Sequence, residues 1–202
     1  MPIDVRGLPV DLLAFPGHKA LMGPMGTGAI WVREGVRVAP WREGGTGGDS
    51  TSPVQPGEMP HRLEGGTPNA VGIAGLGAGV RWLQARGVEA VRAHERALAQ
   101  RLIEGLSAVR GVSLYGPRDA GSRIATVSFR VAGVPCQEVA AVLDQAFDVA
   151  VRAGLHCAPE AHGSLGTSPE GTVRASLGPF STEADVDRLV AAAGEIATGA
   201  VL

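Results

Sequence analysis

The chain has 202 residues, a formal net charge of −2, 45% hydrophobic residues and 19% charged residues. That balance is globular rather than disordered, sufficient for one large domain or two small ones, and offers no electrostatic reason to bind nucleic acid. No apolar run approaches the ~18 residues of a membrane span. The N-terminal segment lacks the basic-then-apolar pattern of a secretory signal, and two cysteines make no disulfide framework, so a reducing cytoplasm is the expected compartment.

In chain order, Leu12 to Phe15 is a short apolar run that predicts a buried strand, stopped by Pro16-Gly17. A glycine-rich turn over 23–28 leads to a second strand, Ala29 to Val32. A long loop rich in glycine and proline follows, from Glu43 to Asn69; a stretch of that length without periodicity is usually functional or disordered. Val71 to Arg86 predicts a buried helix softened by glycines, with Pro68 near its start.

Val88 to Arg110 predicts an amphipathic helix with Val91, Leu98, Leu102, Leu106 and Val109 on one face and Gly111 just past its end. Strands are expected at Val112–Tyr115, at Ile124–Val131 (Ala125, Val127, Phe129 and Val131 alternating), at Asp148–Arg152 and at Thr172–Leu177. A helix is expected over Pro135–Ala146, and a last one capped by Ser181 or Thr182 and packing Val186, Leu189, Val190 and Ile196. The order after residue 80 is helix, strand, strand, helix, strand, strand, helix, a small sheet covered by helices.

Of the 18 lysine and arginine residues only one, Lys19, is lysine. Arginine serves wherever a positive charge suffices, but it cannot become a neutral amine nucleophile. A retained lysine therefore points to work that needs a primary amine, and Schiff-base chemistry is such work. Lys19 follows His18 at the end of the first strand, where glycines let backbone approach a phosphate and the histidine can donate to it. A surface turn with an incidental lysine fits the same residues.

Three further groups carry possible chemistry. Glu64-Gly65-Gly66-Thr67-Pro68-Asn69 precedes a helix; it reads either as an anion site or as an ordinary helix start capped by Thr67. Cys157 sits in Arg152-Ala153-Gly154-Leu155-His156-Cys157, where Arg152 or His156 would favour a thiolate; the alternative is a cysteine packed as a small hydrophobe. Cys136 has no basic neighbour and is read as structural. Arg174 lies inside an apolar strand, where it needs a partner: a substrate carboxylate or a core acid. No metal site is expected.

From Asp4 to Ala197 the chain resembles the second half of class V aminotransferases, and within them the cysteine desulfurase and selenocysteine lyase group. The motifs DLLAFPGHK, GPMGTGAIWV, EGGTGG, LEGGTPN with GIAGLGAG, LYGP, VRAGLHCAP and TVRASLGPFSTEADVDRL stand in the family's order. The resemblance implies an α/β architecture, the type I fold of pyridoxal-phosphate-dependent transferases. Residues 1–80 would be the C-terminal part of the cofactor-binding large domain, and 81–202 the small C-terminal α+β domain.

The resemblance also implies roles. Lys19 would condense with the aldehyde of pyridoxal 5'-phosphate and His18 would contact its phosphate. Gly66 and Thr67 would reach the cofactor of the other subunit of a homodimer. Arg174 would hold the carboxylate of a cysteine or selenocysteine substrate, in a pocket that Arg152 also lines. Cys157 would take the sulfur as a persulfide, release alanine, and pass the sulfur to an acceptor protein. Two positions depart from the pattern: Pro16 replaces a serine or threonine found beside the phosphate in many relatives, and Leu155 replaces a histidine of the Suf-type desulfurases.

Family members are considerably longer. The half without a counterpart here holds the partner of the pyridine nitrogen, the group that stacks on the ring and most of the phosphate loop. The chain alone is accordingly expected to bind the cofactor poorly and to be inactive. Another class V aminotransferase or lyase, which would not need Cys157, and an inactive fragment are the alternatives.

Overall fold

The structure, a computed structural model, describes residues 3–45 and 51–201. Thr46, Gly47 and Gly48 of the EGGTGG motif lie outside the described residues. The chain divides into two compact units, one running to Val88 and the other starting at Glu89.

In the first unit, β1 (Leu12–Pro16) pairs antiparallel with β2 (Gly28–Val32), with Leu12 opposite Val32 and Pro16 opposite Gly28. The connecting turn is closed by backbone bonds: Gly17 N–H donates to the Thr27 carbonyl (2.8 Å), Gly23 N–H to the Gly17 carbonyl (2.8 Å) and Met22 N–H to the Lys19 carbonyl (3.0 Å). Helix α1 (Ala70–Arg86) is capped by Asn69, whose side chain accepts from the Gly72 N–H at 3.0 Å. The expected cap, Thr67, does not fill that place: the helix begins late enough that Asn69 is the residue with its side chain over the first turn.

The expected burial of this unit is not reached. No residue of the two-stranded sheet is fully buried, and Leu12 and Ile30 stay nearly half exposed. On α1 only Gly72, Gly79 and Leu83 are buried, while Val71 and Ile73 are exposed. The reason lies in which residues face the turn. A Cβ on Gly79 would come 2.5 Å from the Leu21 carbonyl oxygen, so the turn lies on the helix backbone where glycine allows it, and the large side chains point elsewhere.

The second unit is built on a four-stranded antiparallel sheet in the order β3-β4-β6-β5, formed by β3 (Val112–Tyr115), β4 (Thr126–Val131), β5 (Arg152–Gly154) and β6 (Thr172–Ser176). Three long helices, α2 (Val88–Ala108), α3 (Cys136–Phe147) and α5 (Glu183–Thr198), supply the rest of the core. The strict alternation of β4 buries Val127, Phe129 and Val131 on one side and leaves Thr126, Ser128 and Arg130 on the other. Leu102, Leu106, Phe129, Val139, Leu143, Val173 and Ala192 lose all contact with solvent.

Thr182 caps α5 in a reciprocal box with Asp185. Arg101 on α2 bridges to Asp187 (2.7 and 2.8 Å) and Glu183 (3.1 Å) on α5. These bonds are exposed and fix register more than stability. Among the described residues no helix is long and apolar enough to cross a membrane.

Two details differ from expectation. The strand expected at Asp148–Arg152 forms instead at Arg152–Gly154. Asp148 takes a left-handed conformation (φ 54°) at the end of α3, and Val149 N–H donates to the Leu143 carbonyl, so the residues before Arg152 serve the helix exit. A short helix, α4 (Pro159–Ser164), with proline in its first turn, was not expected because its six residues carry no apolar period.

The core predicts its own sensitivity. Phe129→Ala should cost about 3–5 kcal/mol in urea unfolding, whereas Arg101→Ala should cost less than about 1 kcal/mol. Equal losses would mean that the sheet–helix interface is not where the stability of this unit resides.

Candidate active site

The second unit gathers four of the expected residues. Strand β5 ends at Gly154, and the chain then turns sharply: His156 (φ 53°) and Cys157 (φ 61°) both adopt left-handed backbone, which costs energy for residues with a Cβ. The turn leaves Cys157 exposed as a free thiol, with Nη2 of Arg152 3.5 Å from its sulfur. Cys157 is therefore not packed as a small hydrophobe. Cys136 is, with 1% of its surface accessible; its thiol donates to the Glu170 carbonyl oxygen at 3.0 Å.

The open face of the sheet explains what surrounds the thiol. Register places Tyr115 opposite Ser128, Ser128 opposite Arg174, and Arg174 opposite Arg152, one row across all four strands. Two arginines thus stand directly opposite one another on neighbouring strands, an arrangement that like charges disfavour. No acid among the described residues forms an ion pair with either arginine. The Nε of Arg174 is buried with no hydrogen-bond partner. No core acid among the described residues therefore partners Arg174, and an anion between these side chains would meet both charges.

His156 sits behind the cysteine. Its Nε2 lies 3.1 Å from the Thr172 carbonyl oxygen, which can only accept, so the proton is on Nε2. Its Nδ1 is buried without a partner. Burial, and then the Arg174 guanidinium, hold the imidazole below the ordinary histidine range; His162 and Arg152 act in the same sense, and the Thr172 carbonyl opposes them. His156 is neutral at pH 7 and anchors the turn to β6.

The first unit holds the remaining candidates. Lys19 and His18 are exposed on the turn after β1, and the Lys19 carbonyl is fixed by Met22 N–H at 3.0 Å. Behind them Gly17 is buried against Thr27 and Leu76 with no room for a Cβ, and the Thr27 hydroxyl donates to the Pro24 carbonyl at 2.6 Å. The amine therefore projects from a turn whose backbone is held at several points. Gly66, with φ 96°, and Thr67 are exposed on the approach to α1, and Gly66 N–H donates to the Gly45 carbonyl at 2.9 Å.

Comparison with known sequences is decisive for the family: the aminotransferase class-V family matches residues 1–189. The chain belongs to that family. It is 40% identical over 194 residues to a probable cysteine desulfurase 2 of Mycobacterium leprae, covering 94% of this chain and 46% of the relative. It is 36% identical over 200 residues to a probable cysteine desulfurase of Pyrococcus abyssi, covering 97% and 49%. Among solved structures it resembles the cysteine desulfurase CsdA of Escherichia coli, with a TM-score of 0.86, 32% identity, and coverage of 100% of this chain and 49% of the other. The apo cysteine desulfurase of Thermococcus onnurineus gives a TM-score of 0.80 at 34% identity, over 94% and 47% of the two chains. The class-V chain thus has the mixed α/β fold of these enzymes and spans about half the length of the relatives it matches.

The sequence did not point to the segment that backs the cysteine turn. His162 is 5% exposed, its Nδ1 lies 2.7 Å from the Thr167 hydroxyl, and its ring lies 5.5 Å from that of His156. In the sequence His162 and Thr167 are an ordinary histidine and threonine five residues apart, and only the fold buries and pairs them.

The depressed folded-state pKa of His156 has a definite consequence for stability. Below the ordinary value of 6.5 the unfolded chain takes up a proton that the folded chain refuses. The contribution is therefore present above pH 6.5 and is lost as pH falls toward the folded-state value. Urea unfolding of the wild type and His156→Gln at stepped pH should show the wild type losing its advantage on acidification. A difference independent of pH would remove His156 from this role.

Proposed function

We propose that this chain carries the lysine and the sulfur-accepting cysteine of a pyridoxal-phosphate-dependent cysteine desulfurase, which converts L-cysteine to L-alanine. The observation that carries the reading is an exposed thiol, held on a left-handed turn 3.5 Å from one arginine whose strand partner is a second, unpaired arginine. Such a face suits a small amino acid that presents its carboxylate to guanidinium and its sulfur to a thiol.

The residues present suit the cofactor in part. Lys19 is the chain's one primary side-chain amine and projects from a braced turn, with His18 beside it as a candidate phosphate donor. Gly66 and Thr67 are candidates to reach the cofactor of a second subunit in a homodimer. Among the described residues of this unit neither aspartate is free to meet the ring nitrogen: Asp4 pairs with Arg6 (2.9 Å) and Asp11 with Arg33 (3.1 Å). When bound, pyridoxal phosphate supplies an electron sink that makes the carbon–sulfur bond labile.

The chain's own groups do the rest. Arg174, supported by Arg152, holds the substrate carboxylate and so orients the side chain. The Cys157 thiolate attacks the substrate sulfur: a sulfur–sulfur bond forms, the carbon–sulfur bond breaks, and the sulfur stays on Cys157 as a persulfide. The Lys19 amine returns a proton to the carbon left behind, and alanine departs. The persulfide then passes to an acceptor thiol, by the exchange chemistry expected in a reducing cytoplasm.

Two experiments test this reading. The purified chain mixed with pyridoxal phosphate should fail to hold the absorption band at about 420 nm that marks a lysine-bound cofactor; a stable band would contradict the reading that neither aspartate is free to meet the ring nitrogen. A chimera that joins the first half of the M. leprae relative to this chain should release sulfide and alanine from cysteine. In it, Lys19→Ala should lower turnover by about 10²–10⁴-fold, and Cys157→Ala should stop sulfide release while retaining the cofactor spectrum. Full sulfide release from Cys157→Ala would point to another class-V reaction.

A further inference from the structure

Arg130 lies on the same open face as Arg152 and Arg174 but takes no part in the scheme above. Its guanidinium reaches into the segment between α4 and β6. Nε donates to the Gly171 carbonyl at 2.7 Å, Nη2 to the Thr167 carbonyl at 2.9 Å, and Nη2 pairs with Glu170 at 3.2 Å. The other Glu170 oxygen accepts from the N–H of Cys136, the first residue of α3, at 2.9 Å. Residues 167–171 are thereby tied to both the sheet and a long helix.

That segment in turn holds the cysteine turn from behind. Gly171 (φ 85°) backs onto Gly154 so closely that a Cβ there has no space. The N–H groups of Thr167 and Ser168 both donate to the His162 carbonyl (2.9 and 3.2 Å), and His162 N–H donates to the Ala158 carbonyl (3.2 Å). Gly154 and Ala158 bracket Cys157 in the chain, and His162 faces His156.

We infer that Arg130 is a positioning residue for Cys157: by clamping Thr167, Glu170 and Gly171 it keeps the strained turn in place, with the sulfur beside Arg152. The inference rests on the reading of Cys157 as the reactive thiol. Arg130 reaches Cys157 only through these intermediaries. Without the clamp the left-handed pair His156–Cys157 is free to relax, and relaxation separates sulfur from guanidinium. Reactivity of the thiol then falls, because the guanidinium contact at 3.5 Å that holds the sulfur in place is lost.

The test is the rate of Cys157 alkylation by iodoacetamide in the 202-residue chain, read by peptide mass spectrometry so that buried Cys136 is counted separately. Arg130→Gln should slow Cys157 at neutral pH by about fivefold, the scale of one exposed ion contact. Arg130→Lys, which keeps the charge opposite Glu170, should restore part of the rate. Should Arg130→Gln fail to fold, Glu170→Gln carries the test, since its amide oxygen still accepts from Cys136 N–H; it should slow Cys157 by a smaller factor.

A lowered melting temperature with the rate of Cys157 unchanged, a faster rate, or no rescue by Arg130→Lys would overturn the inference and leave Arg130 a purely structural residue. Alkylation needs neither cofactor nor cysteine substrate. Failure of the desulfurase reading in the chimera and failure of the positioning role are therefore separate results.

Discussion

Two like charges on adjacent strands are the constraint from which the rest of this structure follows. Antiparallel pairing puts Arg152 directly opposite Arg174 on the open face of the small sheet, and no acid among the described residues neutralises either. A fold selected for stability alone would place a threonine or a glutamate at one of these positions. Keeping both guanidinium groups makes sense if an anion is their partner during function, which is the role proposed above for a substrate carboxylate. The third arginine of that face, Arg130, is satisfied by carbonyls and Glu170, which leaves the other two as the open charges.

The cysteine turn depends on the same sheet. β5 is only three residues long, and its pairing with β6 fixes where the chain leaves the sheet. Two consecutive residues with a Cβ then adopt left-handed backbone, a conformation that neighbours must impose. The His156 bond to Thr172 holds it on one side, and the contact of Gly171 with Gly154 holds it on the other. Rigid strands thus aim a thiol from a loop, and the strain sits where the chemistry is proposed.

The sequence made the frame of the second unit legible because each element there satisfies its own rule. Val127, Phe129 and Val131 alternate, Leu98, Leu102 and Leu106 recur at helical spacing, and Thr182 begins a capping box. Legibility failed where tertiary contacts chose against local pattern. Asp148 to Val151 is apolar enough for a strand, but the exit of α3 uses it. Val71 and Ile73 suggest a buried helix, whereas it is the glycines of α1 that meet the turn. The reactive residue types of the site were visible as motifs; the register that opposes Arg152 and Arg174 was not, because it depends on two strands whose order in the sheet differs from their order in the chain.

If the Arg152–Arg174 pair is a cost borne for ligand binding, the urea midpoint of Arg174→Gln against the wild type, without ligand and at low ionic strength, measures that cost most directly. Removing one of two unneutralised charges should raise the midpoint, more at low salt than at high. A lowered midpoint with no salt dependence would mean that Arg174 stabilises the resting fold and that this face carries no charge pair held open for an anion.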